Sequence, residues 1–269
     1  MKALVTGGGG YLGRKLIPSL QSGYTVYNLN RTPSPGSEFI RGDIREPGID
    51  LSPYSAIFHL AAVSSPRKVD ADPDEAWRIN VDGTRNLCAR LKKGQKLIFM
   101  SSAQVYDKSR PEPHTEDEQA APSNFYGLTK LVGEDIVRYF ARKNGFGYAI
   151  LRLFNVYSAD QPPGLLVGDV MEKYRRQEAI ELHNPRTVLD MVHATDAVKV
   201  IGNAPSFEDG TYNVCSGHQI TVGEIYRAVF EHLKAAPKEE TIASDRKDFM
   251  IGDNSKLMRM GFSFRRFSL

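Results

Sequence analysis

The chain has 269 residues, 41% apolar and 25% charged, which describes one large α/β domain, or a domain with a smaller lobe, able to bury a core without disulfides or metals. A net charge of +3 gives no electrostatic footprint for nucleic acid; no apolar run approaches the roughly 20 residues that span a bilayer, and no cleavable apolar segment opens the sequence. The two cysteines, Cys88 and Cys215, have no CxxC neighbour and no metal-ligand spacing, so the expectation is two buried reduced thiols, no metal site and a cytoplasmic protein.

Lys2 to Thr6 is a short apolar run that ends at glycines and reads as a buried parallel strand. Gly7 to Gly10 turn the chain. Tyr11 to Gln21 then carries Leu12, Leu16, Ile17 and Leu20 at helical spacing, Gly23 closes that helix, and Thr25 to Leu29 is the next strand. Glu38 to Ile40 is a short strand ending at Gly42-Asp43, and Ala56 to Leu60 a stronger one. Asp74 to Leu91 predicts one long helix, with Trp77, Ile79, Leu87 and Leu91 on its inner face. Lys96 to Met100 is a strand, Phe125 to Asn144 a second long helix, and Tyr148 to Leu153 a strand again. This alternation predicts an α/β, Rossmann-type doubly wound parallel sheet.

After Asn155 the rhythm breaks. Residues 158–168 are rich in Pro and Gly and read as a loop; Val170 to Gln177 looks helical, Leu189 to Val192 extended, and a helix follows to about Asn203. Val222 to Leu233 is helical, and the basic sequence beyond it reads as irregular. The expected division is a dinucleotide-binding domain of residues 1–157 with 187–205, and a small substrate-binding lobe of residues 158–186 with 206–269. There is no internal repeat.

Gly7, Gly10 and Gly13 stand where a dinucleotide-binding turn needs residues without side chains: for the tight turn, for a close approach of pyrophosphate, and for close helix–strand contact. The helix beginning at Tyr11 offers its free N–H groups to phosphate. The second strand ends at Asn30-Arg31 instead of the carboxylate that would favour NAD. A guanidinium matches a 2′-phosphate, so the expected cofactor is NADP, with NAD as the alternative. Asp43, after the third strand, stands where a side chain can meet the adenine.

Tyr126 and Lys130 lie four apart on a predicted helix and so share a face. An adjacent ammonium and an oxidised nicotinamide both favour the phenolate, so the Tyr126 pKa is expected to fall from about 10, letting it move a proton near neutral pH. Ser102 follows a strand C-terminus, where α/β sheets place ligands, and can hydrogen-bond the same substrate oxygen or cap a turn. Asn80 reads either as a structural polar contact or as part of a proton relay.

In order and content these motifs resemble the extended short-chain dehydrogenase/reductases, particularly the NAD-dependent epimerase/dehydratase family of nucleotide-sugar enzymes. The matching stretches are Thr6 to Gly13, Gly42 to Ile44, His59 to Ala62, Asn80 to Thr84, Ser101 to Tyr106, Tyr126 to Lys130 and Arg152 to Tyr157, with weaker matches at Asp190 to His193 and Tyr212 to Val214. The resemblance implies a catalytic trio of Ser102, Tyr126 and Lys130, with Lys130 also holding the nicotinamide ribose. It implies cofactor contacts from Tyr11, Leu12, Ile44, Leu60, Ala61, Ala62 and Asn80. It places Ser64 and Asn155 near the substrate, Arg246 on a substrate diphosphate, and two long helices in a homodimer interface.

The departures from the family pattern narrow the activity. Dehydratases carry Asp-Glu just after the catalytic hydroxyl; Ala103-Gln104 stand here, which speaks against water elimination. Many epimerases carry an arginine immediately before the position of Asp190; Leu189 stands here, with Arg186 three residues earlier. The stretch from Asn155 to Asp190 is short for the family and the chain ends early at Leu269, so a reduced substrate lobe or a truncated chain is expected. The sequence thus predicts NADPH-dependent reduction of a sugar or nucleotide-sugar keto group, with a nucleotide-sugar 4-epimerase holding NAD, or a non-catalytic NADP-binding regulator, as the alternatives. No nucleic-acid or membrane partner is expected.

Overall fold

The structure, a computed structural model, describes residues 1–33, 35–46, 48–235 and 240–269. β1 (Lys2–Thr6) buries every residue after Lys2, as a strand covered on both faces must. A glycine turn leads into α1 (Tyr11–Leu20), and β2 (Thr25–Asn30), β3 (Glu38–Arg41) and the wholly buried β4 (Ala56–His59) follow. Next comes a short helix absent from the sequence expectation, α2 (Pro66–Ala71), which starts with proline at its first turn, where the missing N–H costs nothing.

The single helix expected over residues 74–91 is three pieces: α3 (Pro73–Trp77), a π-helical turn (Arg78–Asp82) and α4 (Gly83–Cys88). The π turn admits an extra residue and rotates the buried stripe. Ala76, Asn80, Val81 and Thr84 therefore join Leu87 and Leu91 inside, while Trp77 and Ile79 are only half-buried. β5 (Lys96–Ser102), a 3-10 turn (Ala103–Val105), α5 (Phe125–Asn144) and β6 (Gly147–Leu153) complete the alternation.

Later elements are shorter and more numerous than expected. They are β7 (Asn155–Tyr157), α6 (Leu166–Arg175), β8 (Ile180–His183), β9 (Val188–His193), α7 (Ala194–Asn203), β10 (Gly210–Val214), β11 (Gln219–Thr221) and α8 (Val222–His232). The tail, expected to be irregular, forms β12 (Glu240–Ser244), β13 (Phe249–Met250) and α9 (Ser255–Arg259); residues 236–239 of that stretch lie outside the described residues.

The main sheet has the order β10-β6-β5-β4-β1-β2-β3. Its β3-β2-β1-β4-β5-β6 portion is parallel throughout, and strand order reverses direction between β1 and β4. In such sheets the crevice at the carboxyl ends of the two strands flanking the reversal is the ligand position. Those ends are Thr6-Gly7 and His59-Leu60.

The chain groups into two compact units. One comprises residues 1–106, 119–153 and 198–212; the other residues 107–118, 154–197 and 213–269. The first unit's core includes Leu4, Leu29, Ile57, Leu97, Phe99 and Ile150 from the sheet, with Leu87, Leu91, Val137 and Ala141 against them. The second has its own core, where Tyr157, Met171, Ile225, Tyr226 and Phe230 are buried. There β9 is flanked by β11 and β13 and also pairs with β7, while β12 pairs with β8. Cys88 and Cys215 are free and buried, and burial pushes both thiols up. No helix of the described residues is long and apolar enough to cross a membrane, and none of their His, Cys, Asp and Glu side chains cluster as metal ligands.

Candidate active site

The glycine turn is dictated by space. Gly7 has φ of +74° and lies so close to Ala61 that an added Cβ would stand 2.7 Å from the Ala61 backbone. Gly13 packs against Gly8 and the Gly7 carbonyl, so α1 starts hard against the turn. Gly8, not singled out from sequence, is as constrained: its N–H donates to Asn28 Oδ1 at 3.1 Å, and a Cβ there would collide with that side chain. Asn28 is fully buried on β2, and its Nδ2 has no partner among the described residues. Gly10 differs. Among the described residues, a Cβ there would meet only the Gly7 carbonyl, at 3.3 Å, within 4 Å. It is the N-cap of α1, with no side-chain cap and no acidic residue in the first turn, so the positive end of the helix is left for an anion. Tyr11 and Leu12, in that first turn, are half-buried. The turn thus fits the diphosphate of a dinucleotide.

At the end of β2, Asn30 turns inward on the backbone: its Oδ1 accepts the Arg31 N–H at 2.8 Å. The Arg31 side chain is exposed and makes no hydrogen bond or ion pair among the described residues. Its neighbour Arg45 is fully engaged. Its guanidinium reaches Asp43 at 2.7 Å and Glu75 at 2.8 Å. Hydrogen bonds from Arg45 hold the Asp43 carboxyl below its ordinary range, with a smaller contribution from the charge of Arg31. Ile44 is buried against Gly83 at the start of α4.

A directed hydrogen-bond chain fixes the end of β4. Thr84 Oγ1 donates to the Asn80 carbonyl at 2.6 Å, so it accepts from His59 Nε2 at 3.0 Å. His59 Nδ1 must then accept from Thr6 Oγ1 at 2.7 Å, and Thr6 in turn accepts the Ala61 N–H. The imidazole is neutral: burial, then the nearby Lys130 charge, pulls its pKa down to about 3. Beyond it, Asn80 takes the Val63 N–H at 2.8 Å and gives its own amide hydrogens to the Val63 carbonyl and Thr129 Oγ1. Through these bonds the Asn80 side chain ties the loop of Leu60, Ala61 and Ala62 to α5. Ser64, just beyond, is exposed.

The N-terminus of α5 brings the trio together. Asn124 caps it by accepting the Gly127 N–H at 2.8 Å and donates to Gln104 Oε1 at 2.8 Å. Gly127 lies so close to the Gln104 carbonyl that no Cβ fits. Gln104, where dehydratases have a carboxylate, is thereby used to seat the helix. Ser102, Tyr126 and Lys130 are all buried; Ser102 Oγ accepts the Gln104 N–H at 3.2 Å, capping the 3-10 turn, and bears on the Tyr126 hydroxyl. Lys130 Nζ donates to the Met100 carbonyl at 2.8 Å and lies 6.0 Å from the Tyr126 ring centre. Burial pushes the phenol up to about 12, Ser102 offsetting only part of it, and the Lys130 ammonium is turned to the Met100 carbonyl, so the ammonium by itself does not bring about the lowering expected from ammonium and oxidised nicotinamide together. Lys130 itself is brought down to about 8 by burial, opposed by Glu134.

Glu134 escaped the sequence reading. It is fully buried, one turn beyond Lys130, and is gripped by Arg152 through both oxygens at 2.9 Å, by Arg138 at 2.7 Å and by Ser101 Oγ at 2.6 Å. The spacing Lys130–Glu134 was its only sequence signal.

The other expected substrate residues lie in the second unit. Asn155 on β7 donates weakly to the Asp190 carbonyl at 3.5 Å. The Asp190 carboxylate is buried and accepts from Ser216 N–H and Oγ and from Gly217 N–H; burial still pushes its pKa up to about 6. Arg246 is exposed and paired with Asp248 at 2.7 Å, and Arg186 with Asp245 at 2.7 Å.

Comparison with known proteins accords with this geometry. The sequence model of the NAD dependent epimerase/dehydratase family matches residues 3–215. A protein of Methanocaldococcus jannaschii named putative UDP-glucose 4-epimerase is 29% identical over 83% of this chain and 79% of its own length. A GDP-6-deoxy-D-talose 4-dehydrogenase of Aggregatibacter actinomycetemcomitans is 26% identical over 97% and 91%. The solved structure of MoeE5 in complex with UDP-glucose and NAD superposes with a TM-score of 0.89 at 26% identity, covering 99% of this chain and 94% of that one. The chain is therefore an enzyme of the extended short-chain dehydrogenase/reductase type and belongs to the NAD-dependent epimerase/dehydratase family.

Proposed function

We propose that this enzyme reduces a keto group on a nucleotide-linked sugar, using NADPH, with Tyr126 as the proton donor. The reading rests on the buried cluster in which Ser102 bears on the Tyr126 hydroxyl while Lys130 stands beside the same ring, taken with the exposed, unpaired guanidinium of Arg31. A phenol pushed up to about 12 stays protonated at neutral pH, as a general acid for carbonyl reduction must. The nicotinamide, when bound, supplies the hydride for the carbonyl carbon. Tyr126 gives its proton to the carbonyl oxygen, Ser102 holds that oxygen, and Lys130 stabilises the phenolate left behind.

In this reading the first unit binds the dinucleotide. Gly7, Gly10 and Gly13, with the N–H groups of Tyr11 and Leu12, hold the diphosphate. Asp43 and Ile44 flank the adenine, Leu60, Ala61 and Ala62 line the bound molecule beside Asn80, and Lys130 holds the nicotinamide ribose. Arg31 takes the 2′-phosphate: its guanidinium is unpaired, whereas the charge of Arg45 is answered by Asp43 and Glu75. Asn155, Arg246 and Ser64 are the residues assigned to the sugar nucleotide. A cytoplasmic homodimer completes the proposal.

A second reading is favoured by the relative named as a UDP-glucose 4-epimerase and by the NAD in the MoeE5 structure. There Tyr126 takes a proton from a sugar hydroxyl and returns it after the hydride has come back on the other face. The third, a regulator without catalysis, leaves the buried trio without a use. Supplying NADPH and NADH with a panel of nucleotide keto-sugars separates the readings. Reduction consumes NADPH absorbance; epimerisation inverts the sugar with no net change; a regulator does neither. Preference for NADH overturns the role given to Arg31.

A further inference from the structure

We propose that Glu134 is a positioning residue for the reaction: clamped by Arg152, Arg138 and Ser101, it holds the Lys130 ammonium charged and seated on the Met100 carbonyl at the end of β5. This rests on the reading of Lys130 as part of the reaction site.

Three observations converge. First, Glu134 sits one turn beyond Lys130 on α5, so the two share a face, and both are buried. A carboxylate with no exposure is costly unless its lone pairs are filled, and here four donors fill them: Arg152 Nε and Nη2, Arg138 Nη2 and Ser101 Oγ. Second, the clamp is anchored in the strands that carry the site. Ser101 lies between Met100, whose carbonyl receives Lys130, and Ser102; Arg152 is its register partner on β6. Arg152 is itself fixed by donating to Tyr106 Oη at 2.9 Å and lying 4.8 Å over that ring. A shift of Glu134 therefore moves the backbone that seats Lys130. Third, among the described residues the charge that supports the Lys130 ammonium is Glu134. From α5 come Tyr126, uncharged, and Glu134 with Arg138 behind it; from β4 comes His59, neutral; from β5 come the Phe99 ring at 5.3 Å, the Met100 carbonyl and Ser101; from β6 comes Arg152. Burial works against the ammonium and Glu134 works for it.

The test is the titration of Lys130 itself, followed by the Cε and Nζ resonances of labelled lysine in the folded protein, with its signal identified by its loss in Lys130→Met. This readout is independent of turnover, so a failed titration and a failed functional reading are told apart. Glu134→Gln keeps the shape and removes the charge; the Lys130 midpoint falls by about one unit. Arg138→Met removes a cation from behind the carboxylate; the midpoint rises. Shifts of opposite sign are the expected signature, because mere loosening moves both variants the same way. Two midpoints that coincide with the parent, or move together, overturn the proposal. Where Glu134→Gln fails to fold with Arg152 left unanswered, Arg138→Met on the half-exposed side decides alone: no rise overturns it. With substrate, Glu134→Gln moves the alkaline limb of kcat in the same direction as the Lys130 midpoint and lowers kcat at least tenfold, with KM changed less.

Discussion

Replacing Tyr126 with Phe removes one oxygen from a buried site and separates chemistry from folding. The lost hydroxyl lies under the influence of Ser102, an interaction worth no more than the roughly 1 kcal/mol of one neutral hydrogen bond, and its removal also relieves the cost of burying a hydroxyl. The thermal midpoint should therefore move by no more than about 4 °C in a chain of this size. Turnover should fall by roughly 10² to 10⁴, the usual span for a positioned proton donor, or about 3 to 5 kcal/mol of barrier. The pH profile adds a sign. The phenol, pushed up to about 12, does not titrate near neutrality, whereas Lys130, brought down to about 8, does. Its ammonium is present below that value and lost above it, so reduction should decline as pH rises through about 8, and the residual activity of Tyr126→Phe should keep that same alkaline limb. The assay is NADPH oxidation across pH with a nucleotide keto-sugar, beside a melting curve. A folded Tyr126→Phe enzyme within tenfold of the parent refutes Tyr126 as the donor; disappearance of the limb in that variant refutes its assignment to Lys130.

Arg31→Ala should raise KM for NADPH roughly tenfold and leave KM for NADH unchanged, since one exposed guanidinium–phosphate contact sits at the weak end of charged hydrogen bonds; equal effects on both cofactors would defeat the 2′-phosphate role. Asn80→Ala removes three hydrogen bonds, to Val63 N–H, the Val63 carbonyl and Thr129, and should cost about 2–4 kcal/mol in urea unfolding; an unmoved midpoint would return Asn80 to a non-structural role. Asp190 has a folded pKa raised to about 6 from its ordinary 3.8, so its protonated form favours the folded state. The stability this group contributes is fully present below the unfolded pKa and is lost as pH rises through about 6, a span worth about 3 kcal/mol. Parent stability measured relative to Asp190→Asn should accordingly decrease from pH 4 to pH 7; a flat difference would show that the carboxyl is not shifted.

The first unit was legible because its central strands β1, β4 and β5 are buried almost throughout and read as apolar runs separated by glycine turns and amphipathic helices. The stretch from Phe125 to Asn144 emerged with the bounds expected, its start marked by the Asn124 cap and its end by Gly145 in a left-handed conformation. What stayed hidden there depends on contacts remote in sequence. Asn28 reaches across to Gly8, Arg45 to Glu75, and Glu134 to Arg152, none at a periodic spacing. The π turn at Arg78–Asp82 has no residue signature, since it replaces one hydrogen-bond register by another within a helical sequence. In the second unit, β13 has two residues and β7 and β11 three each, too short to show alternation, and β12 finds β8 some 60 positions earlier. Pairing, not local preference, makes these strands.

The same trio serves a reductase and an epimerase equally well, so the choice between them falls to the far end of the cofactor site. A reductase must release the oxidised dinucleotide at each turnover; an epimerase must keep it. Here the residues at the close of β2 provide only an exposed guanidinium and an amide folded back onto its own backbone. The carboxylate of Asp43, which in another arrangement could hold the adenosine end, has both oxygens engaged by Arg45. A single exposed contact of about 1–2 kcal/mol changes affinity by roughly five- to thirtyfold, enough to prefer a phosphorylated ribose and too little to trap it. Exchange of the dinucleotide is therefore the property on which the proposed reductase depends. If the purified enzyme instead carries one equivalent of dinucleotide through gel filtration and dialysis, the adenosine end is gripped by groups other than these, and the epimerase reading takes precedence.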